Sequence, residues 1–477
     1  MKPRARTWAL WVLLSLALAG VLGAGLALDA DATASPRWTL RQAFLPGETT
    51  HGHYQIELRC ESCHGGAAFA GPEPLQDACV RCHGAELKEA RDTHPRSKFT
   101  DPRNAERAAR LDAARCVTCH AEHQPRITGA AGLTMPQDFC VICHQDIGQE
   151  RPTHAGLAFD TCASAGCHNF HDNRALYAEF LLKHAEQPAV LARPLRPARD
   201  FARVAEEIAS YPSDRFPLRP LRAHDGGKRA TPAIAEDWLA SSHAAQGVNC
   251  SGCHQNGADG WTDRPPRKVC AGCHVDEARG FAAGKHGMRE AAGLPAMQPG
   301  RARLAMKPDV ADRSLDCSGC HGAHRFDTRK AAAEACLGCH DDRHSRAWEA
   351  SPHAALWQRE QAGALPPGSG VSCASCHLPR VEHRTDDVKR ILVQHNQNDN
   401  LRPSDKQLRS VCLACHGLAF SIDALADRAL VERNFAGRPA GHVKSIEMAL
   451  DAERRADESR RKAGSTGGAG TAGKPGS

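Results

Sequence analysis

One five-residue unit, Cys-x-x-Cys-His, restricts what this chain can fold into more than any other feature. One turn of helix places the two thiols on the same side, with a histidine directly behind the second. It is the attachment signature of a c-type haem. The thiols form thioethers with the porphyrin vinyl groups, and the histidine lies under the ring where it binds iron. In strict form the unit occurs ten times. Its first four copies are Cys60, Cys63 and His64; Cys79, Cys82 and His83; Cys116, Cys119 and His120; and Cys140, Cys143 and His144. Six more follow: Cys250, Cys253 and His254; Cys270, Cys273 and His274; Cys317, Cys320 and His321; Cys336, Cys339 and His340; Cys373, Cys376 and His377; and Cys412, Cys415 and His416. An eleventh copy, Cys162, Cys167 and His168, is stretched by two residues. All 22 cysteines are used.

Zinc ribbons also use pairs of Cys-x-x-Cys, but zinc has no need of a histidine after the second cysteine. A disulfide framework does not favour it either. Eleven copies with a trailing histidine therefore point to eleven covalently bound c-type haems and their iron.

The cofactors also explain a composition that is otherwise poor in core. Only 5% of the 477 residues are aromatic, against 29 prolines and 41 glycines. From His51 to His416 there are 366 residues, or about 33 for each of eleven haems. The expected fold is mainly α with much irregular loop and little β. It has two multihaem lobes whose interiors are porphyrin, since no long alternating β-branched run is visible. The formal charge of +6 falls to about −5 (6 − 11) if each ferric haem adds about −1 through its ionised propionates. A nucleic-acid partner is not expected, because basic recognition motifs are absent.

Residues 1–34 read as a signal peptide or membrane anchor. A basic start (Lys2, Arg4, Arg6) precedes an uncharged run from Trp8 to Leu28, about the length that spans a bilayer. Ala32-Thr-Ala34 offers a cleavage site, which Pro36 weakens. Either way the haem-bearing body is exported. The expectation is a periplasmic protein anchored to the inner membrane, with a soluble periplasmic form after cleavage as the alternative.

Residues 45–187 form a five-haem lobe, with a helix ending near His184. Residues 188–235 form a Pro/Arg-rich linker holding one helix, Asp200 to Ser210. Residues 236–422 form a six-haem lobe, opened by an insertion from Val381 to Ser410. Residues 423–477 comprise a charged, exposed helix, Ile446 to Arg461, and a low-complexity disordered tail.

The sixth position on each iron decides between carrier and enzyme. Eleven of the 27 histidines lie in motifs, which leaves 16 (27 − 11). The candidate distal ligands are His51, His53, His94, His123, His154, His171 and His184 in the first lobe. In the second they are His243, His286, His324, His344, His353, His383 and His395. His224 and His442 read as ordinary surface or hydrogen-bonded histidines. His123, His171 and His324 each follow a motif histidine by three residues, and so point to a neighbouring haem rather than their own. Methionine is the alternative ligand, but only Met135, Met288, Met297 and Met306 lie near the lobes. Most irons should be bis-histidine, low-spin and low in potential.

The first lobe resembles the small class III cytochromes c, which share paired motifs, the stretched Cys-x4-Cys-His variant and bis-histidine ligation. The second resembles the hydroxylamine oxidoreductase and nitrite reductase superfamily. The likeness rests on Trp348-E-A-S-P-His353, Cys373-A-S-C-H-L-P-Arg380, His395-N-Q-N-D-N-L-R-Pro403 and Cys412-L-A-C-H-Gly417. The departures concern the active haem. No motif ends in lysine, as the nitrite reductases require. No tyrosine lies in the second lobe to cross-link a haem as in hydroxylamine oxidoreductases, the three being Tyr54, Tyr177 and Tyr211. The long intra-motif gap of the sulfite-reducing relatives is missing as well.

The sequence therefore favours an electron carrier with no catalytic residue. It would relay electrons between a membrane donor and a periplasmic or outer-membrane acceptor, touching the inner membrane through its N-terminal segment. The alternative is an oxidoreductase acting on a small nitrogen or sulfur oxyanion at an open haem in the second lobe. Arg380 and Arg402 would then bind the anion, though propionate salt bridges also explain them.

Overall fold

The computed structural model describes residues 3–31, 45–65, 72–129, 132–136, 138–155, 170–172, 178–192, 197, 219–255, 260–385, 388–401 and 406–467. Among these residues 55% are helical and 3% are in strands, as expected for a mainly α chain.

Helix α1 (Pro3–Asp31) holds the apolar run. Its stretch Thr7–Ala24 is long and apolar enough to cross a membrane, and none of it is buried. Beyond it the helices are short. Each of the ten strict motifs lies on a helical turn, such as Glu61–His64, Cys116–Cys119, Cys250–His254, Cys317–His321 and Cys373–His377. The second motif is set within the longer α2 (Pro72–Glu89). The turn is closed by the amide of the motif histidine bonding the carbonyl of the first cysteine. Examples are His64 to Cys60 at 2.8 Å, His120 to Cys116 at 2.9 Å and His416 to Cys412 at 2.9 Å. That bond fixes both thiols and the ring on one side. Polar caps start several of these turns: Asn249 accepts from the Cys250 amide, Asp316 from Gly319, and Ser372 and Ser375 cap reciprocally.

The largest apolar cluster joins segments far apart in sequence. Helix α3 (Ala178–His184) contributes Leu181, followed by Ala185. They pack with Leu408, with Leu418, Ala419 and Ile422, and with Ile446 and Ala449. A smaller cluster holds Ala333, Trp348 and Ala354, Ala354 coming from α4 (Pro352–Gln361). Leu418, Ala419 and Ile422 belong to α5 (Leu418–Ala426), and Ile446 and Ala449 to α6 (Lys444–Gly467).

Helix α6 differs from expectation in two ways. It runs on to Gly467, and its first turns are not exposed: Ile446 and Ala449 are buried. Ile446, Ala449 and Leu450 recur at three- and four-residue spacing, which makes one apolar stripe beneath the charged surface. The expected helix Asp200 to Ser210 and the last residues of the tail lie outside the described residues.

The insertion after the Cys373 motif forms a hairpin, β1 (Arg380–Thr385) and β2 (Val388–Val393), antiparallel with Arg380 opposite Val393 and Thr385 opposite Val388. The ladder continues as the Gln394 amide bonds the Pro379 carbonyl at 2.9 Å. The hairpin thereby returns the chain to the motif it left and delivers His395 beside it.

Charged contacts link the segment 49–59 to the second half of the chain. Lys285 Nζ donates to the carbonyls of His51 (3.2 Å) and Gly52 (2.6 Å). The buried Arg289 donates to the Gln55 carbonyl at 3.0 Å. Arg303 donates to the Thr49 carbonyl and to Glu57, and its guanidinium covers the Tyr54 ring. A fourth tie pairs Lys406 with Glu86 on α2.

Candidate haem-binding centres

Nine of the ten described motif histidines face a second histidine. The ring centres lie 6.0 Å apart for His83 and His53, 6.1 Å for His144 and His94, and 6.3 Å for His120 and His171. Further along, His254 faces His324 at 6.0 Å, His274 faces His243 at 6.0 Å, and His321 faces His395 at 6.3 Å. His340 faces His286 at 6.3 Å, His377 faces His344 at 6.0 Å, and His416 faces His353 at 6.2 Å.

This separation is too long for a hydrogen bond between the rings and too uniform for casual packing. It equals two metal–imidazole bonds of about 2.0 Å plus about 1.1 Å from each nitrogen to its ring centre, or about 6.2 Å in all. The residues therefore fit one iron between each pair. Bound haem would supply one-electron chemistry at that iron.

The rings are also presented in the correct form. A ligand imidazole must be neutral, with its other nitrogen held by a partner. Nδ1 donates to a backbone carbonyl in His94 (Phe170, 2.7 Å), His120 (Gly132, 3.1 Å) and His254 (Thr262, 2.7 Å). The same holds for His344 (Val431, 2.6 Å), His395 (Val393, 2.9 Å) and His416 (Ala189, 2.8 Å). Each bond engages Nδ1, so Nε2 is the nitrogen a metal would take. His344 has a rival partner, because Asn434 Nδ2 lies 3.1 Å from its Nε2. Burial pushes His243, His286, His321, His353 and His377 down to about 4, helped by a neighbouring histidine in every case. The rings are thus uncharged near neutral pH.

Two rings of the first lobe meet a carboxylate instead. His53 Nδ1 donates to Glu122 Oε1 at 2.5 Å, and His171 Nδ1 to Asp92 Oδ1 at 3.1 Å. Burial opposes ionisation of Glu122. The hydrogen bonds from His53 and from the Thr50 amide and hydroxyl outweigh it and hold the carboxyl at about 2. Phe170 stacks on His94, ring centres 4.0 Å apart, and stands edge-on to His171 at 5.0 Å.

The cysteines do not suit zinc. Among the described residues no three His, Cys, Asp or Glu side chains converge on one metal position, and all 20 described cysteines are outside disulfides. Burial pushes the Cys320 and Cys412 thiols up, to about 11 and about 12, while Cys116 and Cys270 are drawn down, to about 6 and about 7, by the neighbouring Cys79 and Cys317. Thiols of successive motifs approach one another. Cys79 lies beside Cys116, Cys270 beside Cys317, and Cys336 beside Cys373, near enough for each thiol to perturb the ionisation of the other.

The second cysteines of the motifs take a common place in the turn. The amides of Cys63 and Cys143 bond the carbonyls of Cys60 and Cys140 at 3.2 Å. Those of Cys273, Cys339 and Cys415 bond Cys270, Cys336 and Cys412 at 3.1 Å. Cys253 and Cys376 lie within the helical turns of their own motifs. All seven are half-buried, so each thiol keeps one side open to a macrocycle. Cys143 Sγ is 3.7 Å from the Arg107 carbonyl. Cys167 lies outside the described residues, with Cys162 and His168 of the same stretched motif.

Other candidates are placed differently. His64 has no imidazole at the 6 Å separation among the described residues. His51 packs beside Tyr54 at 5.7 Å, and His184 beside Phe180 at 4.4 Å. His123 Nδ1 donates to the Gly47 carbonyl at 2.8 Å, and His154 Nδ1 lies 3.0 Å from Thr153 Oγ1. His383 lies in β1 opposite Arg390, its ring outside the described side chains. His442 pairs with Asp423 at 2.6 Å, in keeping with an ordinary role, whereas His224 stands edge-on to Trp238 with its Nδ1 buried and without a hydrogen-bond partner, which is neither the surface nor the hydrogen-bonded setting expected. Arg402, Tyr177 and Tyr211 lie outside the described residues. Arg380 reaches the Pro197 carbonyl at 3.4 Å. Met135 Sδ lies 3.5 Å from Cys119 Sγ.

One internal repeat went unread in the sequence. Trp238-x-x-Ser241-x-His243-Ala-Ala and Trp348-x-x-Ser351-x-His353-Ala-Ala share a pattern and a geometry. Each tryptophan is buried and donates Nε1 to a carbonyl two residues before a motif, Val248 at 3.0 Å and Val371 at 3.3 Å. Each serine caps the turn carrying the histidine, at 3.2 Å in both.

Residues 52–145 match the cytochrome c3 family. The match spans the first four motifs, ending just beyond Cys143 and His144. It supports a multihaem c-type cytochrome, with covalently bound haem, and electron transfer as its chemistry.

Proposed function

We propose that the chain is an eleven-haem cytochrome relaying electrons on the periplasmic face of a membrane, between a membrane donor and a periplasmic or outer-membrane acceptor. The observation that carries this is the set of nine histidine pairs at 6.0–6.3 Å, which offers two axial ligands and no open coordination position at each. The chain's own residues do the remaining work. Cysteines fix the macrocycles, backbone carbonyls orient the rings, and the close approach of the first cysteines of successive motifs would place neighbouring macrocycles near one another. Seven motifs lie beyond the family match, and the proposal extends thioether attachment to them. Their second thiols are Cys167, Cys253, Cys273, Cys320, Cys339, Cys376 and Cys415. Helix α1 serves as anchor or export signal, and the export side is where c-type haem is attached.

A reductase acting on a small oxyanion needs an open iron. All six motif histidines of the second lobe have a partner ring, which speaks against such a site there. The experiment is low-temperature EPR of the oxidised protein, with the haem-to-protein ratio measured by the pyridine haemochrome. Eleven haems, all low-spin, support the relay. A stoichiometric high-spin iron would favour the enzyme, and nitrite, hydroxylamine and sulfite would be tested as substrates.

A further inference from the structure

Lys285, Arg289 and Arg303 gather where residues 49–59 meet the second half of the chain. The carboxylates nearby are already engaged. Glu57 accepts from Arg303 and from the Thr49 hydroxyl, both at 3.0 Å. Glu290, next to Arg289 in sequence, pairs with Arg267 at 3.4 Å. Among the described residues Arg289 has no carboxylate partner, and its guanidinium donates to a neutral group, the Gln55 carbonyl, at 3.0 Å.

Arg289 is only 7% exposed, and among the described residues its buried Nε has no hydrogen-bond partner. Gln55 is 3% exposed, and its Oε1 is likewise buried and unpartnered. A buried guanidinium without a counter-ion is costly, because nothing offsets the loss of its hydration. Burial, and then the neighbouring Arg301, pull it below its ordinary ionisation range, and Glu57 opposes them only in part. A carboxylate resolves both defects. It accepts from Arg289 Nε. With the Gln55 amide turned over, the amide nitrogen donates to the same carboxylate, and the amide oxygen accepts from the Tyr54 hydroxyl, which lies 3.4 Å from that amide.

The carboxylates that such a chain must still place are the haem propionates. Two iron positions have a ligand histidine close in sequence to this site. His286 stands three residues before Arg289 and faces His340, and His53 stands two residues before Gln55 and faces His83. We infer that Arg289 and Gln55 form a buried carboxylate site that takes a propionate from one of these two haems. Residues 49–59 and 285–303 are then joined through a cofactor as well as through the direct bonds of Lys285 and Arg303. Binding is an ion pair with hydrogen bonds, and no covalent bond or electron moves.

The inference rests on the haem reading, which the haemochrome ratio tests separately. In full-length, haem-loaded protein, Arg289→Gln removes a positive charge beside one haem and so favours its ferric form. At alkaline pH, where the carboxylate stays ionised, that preference should strengthen about tenfold, a fall of about 59 mV in the potential of a single haem. Arg289→Lys keeps the charge and should hold the potential near its original value. The haem is identified in a His286→Met or a His53→Met background, because a methionine ligand raises the potential of its own haem. A fall confined to the haem marked by either methionine supports the site and says whose propionate fills it. Unchanged potentials in Arg289→Gln, a fall spread over several haems, a fall in a haem that neither methionine marks, or an equal fall in Arg289→Lys would each overturn it. Should Arg289→Gln fail to load haem, Gln55→Leu spares the guanidinium and removes only the amide. It should shift the same preference about threefold towards ferric, and an unchanged redox titration would count against the site.

Discussion

Replacing Glu122 by glutamine should raise the potential of one haem, that on Cys79 and Cys82, and leave the others where they are. The carboxylate oxygen lies 2.5 Å from His53 Nδ1. With about 2 Å for a bond from Nε2 to iron, the negative charge sits roughly 6 to 7 Å from the metal. A unit charge at that distance is worth about 2.5 kcal/mol at an effective dielectric of about 20. The Glu122 side chain is 30% exposed, and water screening lowers this to about 1.4 kcal/mol. That is a tenfold weaker preference for ferric over ferrous iron, or about 59 mV for one electron. Glutamine keeps one oxygen to accept from His53 Nδ1 and the Thr50 hydroxyl, and loses the charge together with the bond that Oε2 accepts from the Thr50 amide. The assay is a redox titration followed by EPR, with Glu57→Gln as a control that changes a carboxylate not bonded to a ligand ring. A potential that stays fixed or falls, or a shift spread over all haems, would refute the argument.

Other expectations follow from the same contacts. Glu86 is opposed by burial but held at about 2 by His83 and Lys406, and Glu122 lies at about 2, against an ordinary value of 4.5. Both are depressed carboxylates, so their stabilisation is complete above about pH 4.5 and is lost as pH falls towards 2. Melting temperature should drop across that window, less so in Glu86→Gln, and a flat profile there would exclude the linkage. Ile446→Ala removes a fully buried side chain and should cost about 2–5 kcal/mol in chemical denaturation; a loss below about 1 kcal/mol would mean that α6 is not part of the core. A chain lacking residues 1–31 but exported by another signal should keep its haem content and leave the membrane fraction. Mass spectrometry of the native protein then shows whether α1 is retained as an anchor.

The motif turns were legible because Cys-x-x-Cys-His encodes its own geometry: a single helical turn and one backbone bond suffice, as at Cys60 and His64. The distal candidates were legible as residue types and not as pairs, because pairing is long-range. Nothing local to His395 announces His321, which it reaches only through a hairpin. Helix α6 was misread because its charges dominate the composition, while burial depends on the single stripe of Ile446 and Ala449. The like order of pairing was hidden by unequal intervals: the stretch from His94 to Cys116 is shorter than that from His286 to Cys317, yet His94 and His286 each reach past the next motif, to His144 and His340.

Those long-range pairings bear on how the molecule is made. On the proposed pairing a haem is rarely completed by the segment that carries it. The haem on Cys317 waits for His395, and that on Cys116 for His171. During export from the N-terminus, each nascent lobe would therefore hold attached but half-ligated haem until later histidines arrive. A ribosome stalled or a chain cut before His395 would lose an axial ligand in the middle of the lobe rather than at its end. Interlacing makes maturation close to all-or-none for each lobe, so truncated products should be turned over as a whole instead of surviving as shorter cytochromes.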